Sequence, residues 1–192
     1  MSLFNTDICG TYTLDFQEPV MLNDLPGVQY QATSSMFDNS DTCYCPRKNC
    51  PLPGVRDISA CKQAPLFISL PHFLNADPSY GEAVTGLNPD ENKHSFFMSL
   101  ANLTSVPMVV RVRLQTNILL EPIPNMTFFH NVTTTYFPMY WVDQYAILTP
   151  ELASMMHPLY SLSDWGRWVI LIIGGGVGVI FGLLALILRC EN

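Results

Sequence analysis

The sequence predicts a mainly β (α+β) domain with short helices, followed by one carboxy-terminal transmembrane helix. Three features of its 192 residues carry that reading. Val110 to Ile118 (VRVRLQTNI) alternates strictly: Val110, Val112, Leu114, Thr116 and Ile118 share one face, and Arg111, Arg113, Gln115 and Asn117 share the other. A period of two is the mark of a half-buried antiparallel strand. Trp168 to Leu188 runs 21 residues without a charge, and at about 1.5 Å rise per residue such a helix matches the roughly 30 Å hydrocarbon core of a bilayer. Upstream of the alternating strand, prolines and turn residues punctuate the chain, with the short apolar run Leu66 to Leu70 fenced by Pro65 and Pro71.

Taken in order, Gly27 to Ala32 (GVQYQA) alternates and follows Leu25-Pro26, so it reads as a strand after a turn. Cys43 to Pro53 (CYCPRKNCPLP) is a Cys- and Pro-rich knot without periodicity. Leu66 to Leu70, held between Pro65 and Pro71, reads as a buried strand whose prolines stop the ladder from extending. Gly86-Leu87-Asn88-Pro89-Asp90 is turn chemistry. Tyr136 to Val142 (YFPMYWV) is an aromatic strand in which Pro138 favours an edge or a bulge. Thr149, Pro150 and Glu151 supply an N-cap, a first-turn proline and a first-turn acid for a short helix that Pro158 ends or bends.

Charged residues make up 13% of the chain and apolar residues 48%, against about 25% charged in an ordinary soluble domain. That composition excludes disorder over most of the length. The net charge of −7, with no basic run, excludes a nucleic-acid partner.

No catalytic constellation emerges. Asp57, Ser69 and His72 are residue types of a nucleophilic triad, yet no G-x-S-x-G elbow exposes the serine. Asp90 and Glu91 are adjacent acids in a turn whose side chains diverge, which suits solvation better than acid/base work. Cys43, Cys45, Cys50 and Cys61 could supply four thiolates, but the paired CxxC knuckles of zinc sites are missing. Disulfides are therefore expected, with neither a metal nor a cofactor.

Cys9 joins those four in the first third of the chain, and Asn-x-Ser/Thr acceptors stand at Asn102, Asn125 and Asn131. Dense cysteines and glycosylation acceptors place residues 1–166 outside the cytosol. Residues 167–189, framed by Arg167 and Arg189, form the span, and residues 190–192 the cytosolic tail. The segment MSLFNTDICG lacks a basic flank and an apolar stretch, so an upstream part carrying the export signal is expected. Within the span, Gly174, Gly178 and Gly182 form a tandem GxxxG ridge suited to helix association and homo-oligomers. Cys190 sits at the cytosolic boundary, where S-palmitoylation occurs.

The blocks NTDICGTY (5–12), CYCPRKNC (43–50), GVRDISAC (54–61), PLFISLPHFLNAD (65–77) and GLNPDENKH (86–94), with the alternating strand and the glycine-rich span, resemble the carboxy-terminal part of the class B scavenger receptors. Fatty-acid translocase, lysosomal integral membrane protein type two and the insect sensory neuron membrane proteins make up that family. The resemblance implies a glycosylated ectodomain between two spans, built on an antiparallel β-barrel. A hydrophobic tunnel through the barrel would carry lipids, and a helical bundle beyond this sequence would capture ligands. It also implies the disulfides Cys9 to Cys61 and Cys45 to Cys50, and an upstream partner for Cys43. The expected function is a non-enzymatic cell-surface receptor that binds and transfers lipids, fatty acids or lipoproteins. Leu66 to Leu70 and Val110 to Ile118 would supply tunnel wall. A receptor for adhesion or trafficking that binds a protein, including lysosomal enzyme sorting, is the alternative, with the lysosomal or endosomal membrane as its location. The tail lacks an acidic dileucine-type signal, which favours the plasma membrane.

Overall fold

The computed structural model describes residues 1–39 and 50–190. The chain divides into two units, Met1–Ile147 and Leu148–Asn192.

The first unit opens with a two-stranded hairpin, β1 (Ser2–Asn5) against β2 (Gly10–Thr13). A second hairpin follows, β3 (Asp15–Leu22) against β4 (Leu25–Gln31). Its turn is Asn23-Asp24, both left-handed at φ 49° and 61°, the backbone that tight hairpins require and that Asn and Asp tolerate. Leu25 and Pro26, expected as a turn, belong to the strand: Pro26 pairs with Met21 and Leu25 with Leu22. A Cβ on Gly27 would meet Met108 Sδ at 2.4 Å and the Leu100 carbonyl at 2.6 Å, so close packing of neighbouring strands depends on that glycine.

The remaining elements are β5 (Val55–Asp57), α1 (Ser59–Lys62), β6 (Leu66–Ser69), a 3-10 turn over Pro71–Phe73, α2 (Pro78–Glu82), α3 (Glu91–His94), β7 (Phe97–Ala101), β8 (Pro107–Leu120) and β9 (Thr135–Ile147). Asp77 and Asp90, each accepting a backbone N–H two residues on, start α2 and α3. All pairings of the seven-stranded sheet are antiparallel, in the order β3-β4-β7-β8-β6-β5 with β9 added on β8.

β8 is the spine of this sheet. Its first part pairs with β7 and its second with β6, while β9 runs along it from Val109 to Leu120. The 14-residue strand outruns the nine-residue alternation because these ladders satisfy its ends. Pro138 lies in β9, which among the described residues pairs only with β8, beside a register shift at Thr116/Asn117. Edge and bulge therefore coincide, as a strand proline demands. Among the described residues the sheet does not close on itself.

Ile8, Leu14, Ala32, Met36, Phe37, Leu70 and Phe96 centre the main core, with Val112 and Leu114 packed at its margin. A smaller cluster gathers Val55, Phe67, Phe73 and Tyr80.

The second unit is one helix, α4 (Pro150–Cys190). It starts as expected, with the Leu152 amide donating to Thr149 Oγ1 at 3.4 Å. It does not stop at Pro158, which lies inside it. One proline removes a single ladder bond, at a cost of about 3 kcal/mol, and the many turns on either side carry the helix through. Pro150–Gly182 is long and apolar enough to cross a membrane, and its most apolar stretch is unburied.

Candidate functional site

The alternation of β8 creates two surfaces of opposite character. On one, Val112, Leu114 and Thr116 stand beside Leu66 and Ile68 of β6 and beside Tyr140 and Val142 of β9, lining a cavity of about 260 Å³. Register explains the grouping: Leu114 pairs with Val142, Thr116 with both Tyr140 and Ile68, so every second residue of three strands points the same way. Asn5, Asp7, Lys62 and Gln144 form the polar part of the lining. Lys62 Nζ lies 3.6 Å from Asp7 Oδ1, and the Cys9–Cys61 disulfide, closed across 52 positions, ties the segments that carry this pair. Tyr140 and Val142 remain 59% and 41% exposed. The trough is thus an apolar groove with one charged margin.

The opposite face is polar yet buried: Arg113 is 3% exposed, Gln115 2% and Asn117 0%. A polar group can be buried this deeply only when partnered. Asn117 Nδ2 donates to Ser69 Oγ at 3.0 Å and Gln115 Nε2 donates to Asn117 Oδ1 at 2.9 Å. Gln115 Oε1 accepts the His72 amide at 2.9 Å. Arg113 donates to the carbonyls of Asn92 and Ser95 at 3.1 and 3.2 Å. Asp143, across the ladder on β9, takes a two-pronged bond from Arg111 at 2.8 and 3.0 Å, with Arg113 at 3.4 Å. The Arg111 bond first, and the charge of Arg113 after it, hold the Asp143 carboxyl below its usual range.

An amphipathic strand invites the inference that its apolar face is the buried one. Here the polar face is packed away and the apolar face lines the open groove. Two neighbours cause this inversion: segment 88–95 brings the carbonyls that Arg113 needs, and Ser69 with the His72 amide partners Gln115 and Asn117.

Of the residues singled out in the sequence, Asp57, Ser69 and His72 form no triad. The Ser69 hydroxyl donates to the Leu70 carbonyl and accepts from Gln115 and Asn117, with no histidine among its partners. Asp90 caps α3 and Glu91 accepts from Gln31, so the adjacent acids do diverge. Asn102, Asn125 and Asn131 are all exposed, the first between β7 and β8 and the others between β8 and β9. Cys9 and Cys61 are bonded to each other and Cys50 is also disulfide-bonded. Cys43 and Cys45 lie outside the described residues. Gly174, Gly178 and Gly182 have open space beside them on α4, and Cys190 is its last residue. Sequence reasoning ended the aromatic strand at Val142 and so missed Asp143, Gln144 and Tyr145, because DQYAI carries little strand signal apart from β8. It also missed Asp7 and Lys62, which no local pattern links.

The CD36 family model matches residues 1–189, and the chain belongs to that family. Protein peste of Drosophila melanogaster is 36% identical over 181 residues, 90% of this chain and 33% of the relative. Sensory neuron membrane protein 1 of Heliothis virescens is 30% identical over 190 residues, covering 93% and 36%. Scavenger receptor class B member 1 of Rattus norvegicus is 28% identical over 185 residues, covering 91% and 36%. The chain therefore spans about a third of the length of these curated relatives, and the resemblance to class B scavenger receptors holds. With its exposed apolar helix, it is a membrane protein of that kind.

Proposed function

We propose that the chain forms the carboxy-terminal part of a scavenger-type receptor of the cell surface that binds lipids, fatty acids or lipoproteins and passes the lipid along an apolar channel. The observation that carries this reading is the groove of Leu66, Ile68, Val112, Leu114, Tyr140 and Val142. A soluble domain has no reason to leave three strands' worth of matched apolar side chains facing a cavity. An acyl chain laid there gains about 0.8 kcal/mol per methylene withdrawn from water. In the whole receptor, strands from the rest of the relatives' length would pair with the free edge of β9 and close the sheet into a barrel, turning the groove into a tunnel.

In the same reading the three exposed acceptors carry glycans outside the cell, α4 crosses the membrane from about residue 167 to 189, and the tail lies in the cytosol with Cys190 open to palmitoylation. The glycine ridge of α4 then offers a face for homo-oligomers.

A fatty acid carrying a diazirine and an alkyne, supplied to membranes bearing the chain and crosslinked by light, tests the channel. Label is expected on peptides from β6, β8 and β9, competed by unlabelled fatty acid and at least fivefold weaker in Leu114→Arg. Label confined to α4 would mark ordinary bilayer contact and overturn the lipid channel in favour of a protein-binding receptor.

A further inference from the structure

His72 and His94 stack face to face, 22 positions apart in sequence, with ring centroids 4.2 Å apart and planes 15° from parallel. Each ring accepts a backbone N–H at Nδ1: Asn88 donates to His72 at 3.0 Å, and Asp90 donates to His94 at 3.0 Å. An imidazole that accepts at Nδ1 is neutral, with its proton on Nε2. The second bond closes the turn that starts α3, and the first ties that segment to His72, whose own amide donates to Gln115 of β8, so the pair links segment 88–95 to the polar face of β8.

Burial and the cations around His94 favour its neutral ring. Arg113 of β8 lies behind His94, its guanidinium bound to the carbonyls of Asn92 and Ser95 on either side of that residue. Trp141 of β9 stands nearly perpendicular to His94, at 84°, with ring centroids 5.8 Å apart. Lys93 adds a second positive charge from α3. At His94 the Asp90 carboxylate acts in the opposite direction, and it is paired with Lys93 at 3.5 Å, while Asp77 and Glu91 line the same pocket as His72. Asp143 of β9 is taken by Arg111 and Arg113, and Glu91 by Gln31. His72 sits in a left-handed conformation at φ 55°, as does Phe73 after it. Such backbone persists only while its surroundings hold it, and the bond from the His72 amide to Gln115 is one of the holders.

We infer that the stacked pair is an acid-operated latch: neutral, it clamps residues 88–95 onto β8, and protonated, it releases them. A proton on Nδ1 turns the acceptor into a donor facing a donor, which abolishes the bond to Asn88 or Asp90. A second proton sets two like charges one stacking distance apart beside Arg113. Burial first, and the neighbouring His72 after it, keep His94 below its ordinary value of 6.5. A histidine lowered by folding favours the neutral form, so its contribution to stability is complete above about pH 6.5 and is lost as the pH falls below that. A receptor carried from a neutral surface into an acidic compartment would therefore loosen directly behind its groove.

Hydrogen exchange of the full chain in detergent, read by mass spectrometry on peptides 86–96 and 107–120 and corrected for the intrinsic pH dependence, tests the latch. Between pH 7.5 and 5.0, exchange of the Asn88 and Asp90 amides is expected to quicken at least tenfold, ahead of the β8 ladder. Asn places Oδ1 where His places Nδ1 but does not titrate, so His72→Asn with His94→Asn should hold protection constant with pH. Protection in the unaltered chain that is the same at pH 5.0 overturns the latch. So does equal acid loosening in the double variant. Should that variant fail to fold, the ¹³Cε1 resonances of the unaltered chain decide: protonation of the His94 ring without loss of the 88–95 protection would also overturn it.

Discussion

The two faces of β8 have the same backbone, the same length and the same neighbouring strands, yet they are used in opposite ways. Arg113, Gln115 and Asn117 are sealed in a network in which each amide and guanidinium has a partner. Val112, Leu114 and Thr116, on the other side of the same pleated strand, line a cavity. Hydrophobicity alone would place them the other way round. The difference teaches that burial follows what covers a face. Segment 88–95 supplies carbonyls to Arg113, and Ser69 and the His72 amide serve Gln115 and Asn117, so the polar face is the one that can be dry. The apolar face needs no directional partner and can tolerate a changeable occupant.

Three measurements would break or sharpen this contrast. The largest effect belongs to the groove side, where Cys61→Ser opens a link across 52 positions. A loss of about 4 kcal/mol is expected from the chain-entropy model, read as a fall in the urea midpoint, with exchange rising first around Asp7 and Lys62. Exchange rising first on the polar face would reverse the assignment.

Next, Asn117→Leu keeps the branched shape of the side chain, slightly enlarged, but strips partners from Gln115 and Ser69. It should cost about 3 kcal/mol, because donors are left dry. Leu114→Ala on the half-open face should cost only about 1 kcal/mol. Equal losses, measured by urea unfolding, would show that the two faces are packed alike.

The smallest effect is at Asp143. Its ion pair with Arg111 lies at the surface, so Asp143→Asn should change stability at pH 7 by less than about 1 kcal/mol. Folding lowers this carboxyl below its ordinary 3.8, so its contribution is present above that value and fades as the pH falls through the lowered one. The variant should show a flatter acid limb, measured as the unfolding midpoint between pH 5 and 2.

The sequence by itself determined the mainly β character, the strands around Gly27, Leu66 and Val110, the start of α4 at Thr149, and the apolar stretch that makes a membrane span. Each rests on local physics: a period of two, a proline that cannot donate, a cap, or a run of apolar residues as long as a bilayer is thick. Tertiary structure alone decided the remainder. That Pro158 is passed through, that β9 continues to Ile147, and that Lys62 meets Asp7 depend on neighbours no window contains. Above all, alternation declares that β8 has two faces but is silent on which is buried. That choice was made by Asn92 and Ser95 opposite Arg113 and by Ser69 opposite Asn117, between 18 and 48 positions away in the chain and in contact only once it is folded, because a hydrogen bond requires its partner in place before water can leave.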